Sequence, residues 1–111
     1  TLFSAGCGRL FEGTYEQMFE TLGKLRGLPL DTKVYFAHEY TVTNLEFVRS
    51  RWPQPQPPEL EAYYQTALRR RQQGLPTVPS TLAQEMEINP FLRAKTLGEL
   101  RDWREARNHW R

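Results

Sequence analysis

Apolar positions along this chain recur at two spacings, and the change from one to the other divides it. Met18, Phe19, Leu22 and Leu25 fall on one helical face behind Thr14 and Gln17 in capping-box spacing, and Gly27 and Pro29 end the run. Val34 and Phe36 alternate with Lys33 and Tyr35, which predicts a half-buried strand running through Ala37. With the strand-like opening Thr1-Leu2-Phe3, the first part reads strand, helix, strand, a unit that ordinarily belongs to a larger sheet. Beyond residue 40 the pattern is helical. Thr43 with Glu46 predicts a capped helix carrying Leu45, Val48 and Trp52 inward as far as the proline run 53–58. Pro58 suits the first turn of the next helix, whose stripe is Leu60, Tyr64, Ala67 and Leu68, with Glu59 and Glu61 at its positive end and Arg69, Arg70 and Arg71 at its negative end. Residues 76–79 are expected to be extended, Ser80 or Thr81 to cap a short helix through Met86, and Asn89-Pro90 to start another turn. Thr96 with Glu99 opens a last helix with Leu97, Leu100 and Trp103 inward.

Composition narrows the class. The 111 residues hold one domain, or a small domain with part of another. A net charge of +2 from 15 basic and 13 acidic residues is too balanced to argue for nucleic acid by itself. The cluster Arg69–Arg71 reads first as a solvated helix end, and an anionic partner there stays open. The single cysteine, Cys7, forms no internal disulfide, and no apolar run reaches the ~18 residues of a membrane span, so a reducing, cytoplasmic setting is expected. The chain opens directly in strand-like residues without Met or a charged leader, which reads as a cut rather than a natural start.

Several residues can carry chemistry. Gly6 and Gly8 permit successive amides to face one point, and Arg9 adds a planar cation, an arrangement that suits a carboxylate; glycines that merely make a corner are the plainer reading. His38, at the end of the predicted strand, can ligate a metal or bond a nearby carbonyl. Arg104 and Arg107, with Arg111 beyond them, project from one face of the last helix and can grip an anion or simply complement the helix dipole. Cys7 has no evident base and Ser80 none either, so neither reads as a nucleophile.

These elements, taken in order, resemble the glyoxalase II (hydroxyacylglutathione hydrolase) family of the metallo-β-lactamase superfamily. The resemblance runs through Thr1-Leu2-Phe3-Ser4-Ala5-Gly6-Cys7-Gly8-Arg9, His38-Glu39-Tyr40-Thr41, residues 76–82, Asn89-Pro90-Phe91-Leu92-Arg93 and residues 104–110. The family's Thr-His-x-His-x-Asp-His segment is nowhere in this chain, so the resemblance is to the latter part only. It implies an α+β fold: residues 1–40 as the last strand-helix-strand portion of an αββα sandwich, and 41–111 as a helical glutathione-recognition domain. It also implies that Thr1 follows the aspartate bridging two metal ions.

On the same resemblance, His38 is a metal ligand and lies by the substrate, Arg9, Leu10 and Phe11 line the glutathione site, Glu39 and Tyr40 adjoin it, and Arg104 and Arg107 bind the glycine carboxylate. Phe11 stands where some members carry tyrosine, so a ligand hydrogen bond there is not expected. The implied activity is hydrolysis of S-D-lactoylglutathione to glutathione and D-lactate at two divalent ions, zinc or else iron or manganese. Because a catalytic zinc generally takes three protein ligands, the chain alone is expected to be inactive without its missing N-terminal metal-binding portion. The alternative is a non-catalytic helical module binding glutathione or an acidic partner; binding of nucleic acid ranks last, and no membrane partner is expected.

Overall fold

In the computed structural model, residues 1–9 and 13–110 are described. Among the described residues the fold has two short antiparallel pairs and six helices. Strand β1 (Leu2–Phe3) turns back into β2 (Gly6–Cys7) with Leu2 opposite Cys7 and Phe3 opposite Gly6. Helix α1 (Tyr15–Arg26) follows, capped as its sequence predicts: Thr14 accepts from the Gln17 amide and the Gln17 side chain accepts from the Thr14 amide. Strand β3 (Lys33–Val34) pairs antiparallel with β4 (Ser80–Thr81), with Lys33 opposite Thr81 and Val34 opposite Ser80, a long-range contact that the local pattern does not contain.

The predicted strand through Ala37 is shortened to two residues. Its partner β4 gives way at one end to helix α4 (Leu82–Ile88), and at the other the antiparallel register would next set Tyr35 against Pro79, which has no backbone N–H to donate, so the ladder ends at Val34. The alternation survives without the ladder, for Phe36 is buried while Tyr35 is exposed.

Helix α2 (Thr41–Arg51) begins two residues ahead of the expected cap at Thr43, which lies exposed in its first turn. Thr41 is buried against the Thr77 hydroxyl at 2.6 Å, and that anchor, together with buried Asn44, draws the helix start toward residue 41. Helix α3 (Pro58–Gln72) starts at Pro58 as expected. Its terminal arginines close on the chain itself, Arg70 Nε donating to the Pro76 carbonyl and Arg71 Nη1 to that of Leu75. Of the two candidate caps for α4, Thr81 is used, in a capping box with Gln84. Asn89 caps α5 (Pro90–Arg93), and Thr96 caps α6 (Leu97–His109).

Leu22, Leu45, Phe47, Val48, Leu60, Phe91, Leu92 and Leu100 form one buried cluster that also takes in Ala5 and Cys7, so residues on both sides of position 40 share a core. The radius of gyration, 13.3 Å, matches the ~13 Å of a compact domain near this length. Helices α1, α5 and α6 pack together, and β2 lies on α5, which brings the β1–β2 turn beside the C-terminal half of α6. No helix among the described residues is long and apolar enough to cross a membrane.

Candidate anion pocket

A cavity of about 450 Å3 opens where β2, the start of α2 and the end of α6 meet, a size within the ~300–1,000 Å3 of small-molecule sites. Its aromatic wall is Phe3, His38 and Tyr40. The His38 and Tyr40 rings stack at 5.1 Å and 10°, and Phe3 meets Tyr40 edge-on at 5.2 Å. Three guanidinium groups, those of Arg9, Arg104 and Arg107, supply the charge.

Their environments differ. Arg104 is 6% exposed; its Nη1 donates to the Cys7 carbonyl and its Nε to Asn108 Oδ1 at 3.0 Å. Arg9 is exposed, with Nη2 donating to the Asn108 carbonyl at 3.4 Å. Among the described residues Arg107 donates through Nε alone, to Asn44 Oδ1 at 3.4 Å, and its terminal nitrogens bond no acceptor there. Its cation also lies 5.5 Å from the Trp110 ring and 5.9 Å from the Phe47 ring.

Burial first, then the like charges of Arg104 and Arg9, push the Arg107 pKa below its ordinary value. Among the described residues no carboxylate forms an ion pair with any of the three; the one recorded pair joins Arg49 and Glu61 elsewhere. A bound anion would relieve that repulsion. The cavity between α3 and residues 77–79, about 250 Å3, has only Arg70 for charge, already engaged with Pro76.

Of the residues expected to form the site, Arg9, His38, Tyr40, Arg104 and Arg107 all line this one cavity. Glu39 turns away: Thr77 donates to its carboxylate from both amide and hydroxyl, and it is not part of the lining. Leu10, Phe11 and Arg111 lie outside the described residues.

Local reading missed Asn44, which lines the cavity and orients Arg107. Its signal was a helix-disfavouring Asn inside a predicted helix. Burial raises the Cys7 thiol pKa despite Arg104 beside it, so Cys7 lines the floor as an inert thiol.

Metal binding is a separate question. His38 is exposed, and no group of three or more His, Cys, Asp or Glu side chains comes together among the described residues. These residues alone do not fit a two-metal site, and His38 amounts to at most one ligand.

Taken together, elements and side chains make this a small, mostly helical domain with an arginine-lined cavity. The family described as hydroxyacylglutathione hydrolase C-terminus matches residues 39–109, and the chain belongs to it. It is 54% identical over 95 residues to the hydroxyacylglutathione hydrolase of Psychromonas ingrahamii, 59% over 95 residues to that of Edwardsiella ictaluri and 53% over 95 residues to that of Photobacterium profundum. These alignments take in 84–86% of this chain but 36–37% of each relative, so the chain spans a little over a third of their length.

Proposed function

We propose that this chain is the glutathione-recognition part of a thioester hydrolase of the glyoxalase II type, which converts S-D-lactoylglutathione to glutathione and D-lactate. The convergence of three guanidinium groups on one cavity, with no carboxylate paired to them among the described residues, carries the reading. The relatives named hydroxyacylglutathione hydrolase support it. In this proposal residues 1–40 belong to a metallo-β-lactamase-type sandwich and 41–111 to the helical domain, a boundary of ancestry and not of packing. The setting is cytoplasmic.

Glutathione carries two carboxylates. Arg107 presents a planar fork of donors that matches one of them in two parallel hydrogen bonds, and Arg9, exposed at the same cavity beside Asn108, offers donors to other acceptors. Arg104 adds its charge but has committed donors to Cys7 and Asn108, so it holds the floor. Tyr40 and His38 give the peptide an apolar wall. Fixing the tripeptide lowers the entropic part of the barrier by setting where the thioester lies. Two divalent ions, zinc or else iron or manganese, would supply a water ionised near neutral pH, with His38 one ligand and the others outside this chain.

Calorimetric titration of the chain with glutathione tests the binding role. The expected result is saturable binding that Arg107→Ala weakens ~10-fold or more, the loss of a charge-assisted pair; no heat at millimolar glutathione would refute it. The isolated, metal-loaded chain should turn over lactoylglutathione no faster than buffer, and turnover above that level would mean that it holds a complete metal site.

A further inference from the structure

Glu85 is fully buried on the apolar side of α4, between Leu82 and Ile88, and no cation stands against it among the described residues. A buried carboxylate is costly unless its hydrogen bonds are filled, and those of Glu85 go to one turn and to the Asn89 side chain that also holds it. Its Oε1 accepts from the Ala5 amide at 2.9 Å and from Asn89 Nδ2 at 3.0 Å, and its Oε2 accepts from the Ser4 hydroxyl at 2.8 Å. Asn89 Nδ2 also donates to the Phe3 and Gly6 carbonyls, each at 3.1 Å. Apart from the Asn89–Glu85 bond itself, these bonds end on the turn between β1 and β2.

That turn needs holding, because Ala5 sits at φ 57°, left-handed backbone that a residue with a Cβ adopts only under constraint. On the side toward the pocket, Asn44 donates to the Ser4 carbonyl at 3.2 Å and accepts from Arg107. Asn44 packs so close to the turn that a Cβ on Gly6 would lie 2.5 Å from its Nδ2. The turn therefore has Glu85 behind it and the Asn44–Arg107 pair in front, with Phe3 and Cys7 at its two ends lining the cavity.

We propose that Glu85 is a positioning residue for ligand binding: from the buried side it fixes the Phe3–Gly6 turn against which Asn44 aims Arg107. The effect on glutathione rests on the functional reading above; the effect on the turn does not.

The test uses the full chain as Glu85→Ala, as Glu85→Gln and as Leu60→Ala, a core truncation on α3 that serves as a stability control. Two readouts are taken below the melting range: glutathione affinity and amide exchange at Ala5 and Gly8. Glu85→Ala should weaken glutathione about tenfold and speed exchange at both amides with α6 still protected. Glu85→Gln keeps an acceptor for the Ala5 amide and should restore both readouts to within about threefold, whereas Leu60→Ala should leave both unchanged. In an Asn44→Ala background, Glu85→Ala should cost little further affinity, since the two act along one path. Should Glu85→Ala fail to fold, Glu85→Gln with Ser4→Ala, which removes one of the bonds, takes its place with the same signs. Affinity or exchange in Glu85→Ala equal to that in Leu60→Ala overturns the proposal. If the unmodified chain does not bind glutathione, the functional reading fails, and exchange at Ala5 and Gly8 still decides whether Glu85 holds the turn.

Discussion

Arg104 and Arg107 stand one turn apart on α6 and face the same cavity, yet floor and rim put the same side chain to opposite uses. On the floor, Arg104 is buried and gives its donors to the Cys7 carbonyl and Asn108. At the rim, Arg107 is half-buried, bonds Asn44 through one nitrogen and, among the described residues, keeps its terminal donors unbonded. Burial decides the difference: a desolvated guanidinium must fill its hydrogen bonds from protein, while one in contact with water can leave them to a ligand. Floor substitutions should therefore appear in stability and rim substitutions in binding.

The largest effect is expected at the floor. Arg104→Ala leaves the Cys7 carbonyl without its donor and empties a buried site, and should lower unfolding free energy by ~3 kcal/mol in denaturant titration. A loss below ~1 kcal/mol would show that the floor does not depend on it. Gly6→Ala, between floor and rim, must displace the Asn44 amide and should cost ~1–3 kcal/mol together with a measurable loss of glutathione affinity.

Smaller and of a different kind is a dependence on pH. Burial raises the Glu85 pKa, so the folded chain keeps this proton at pH values where an unfolded glutamate, near 4.3, has lost it. The contribution to stability is then complete below about pH 4.3 and declines as pH rises through the folded pKa. Glu85→Gln should flatten that decline, read as denaturant midpoints against pH, and an unchanged slope would mean that another group is responsible. Least is expected of the rim in stability terms: Tyr40→Ala, at an exposed position, should shift unfolding by under ~0.5 kcal/mol while weakening glutathione.

The same contrast marks how far sequence reaches. Helix starts at Thr14 and Thr96, and at one of Ser80 and Thr81, were legible because a cap and its partner lie three residues apart, and the start at Pro58 because proline suits the first helical turn. The start of α2 was not, because burial of Thr41 against Thr77, 36 positions away, outweighs a local capping box at Thr43. Val34 and Phe36 announced an inward face, but the length of β3 depends on a partner at residues 80–81.

Within the pocket, the rim residues Arg9, His38, Tyr40 and Arg107 stood in motifs that family resemblance makes readable. Asn44 and Glu85 act through bonds to Ser4 and Ala5 that span 40 and 80 positions or more, and no local pattern encodes such a distance. A carboxylate in step with Leu82 and Ile88 was the one hint that α4 buries a polar group.

The central claim is that the arginine-lined cavity receives the glutathione tripeptide at its rim. Amide and side-chain NMR shifts of the labelled chain, followed during glutathione titration, test it most directly. Saturable shifts concentrated at Arg9, His38, Tyr40, Asn44 and Arg107 are predicted, with the Arg104 guanidinium nearly still; shifts gathered around Arg70 and Thr77, or none at saturating glutathione, would contradict the account.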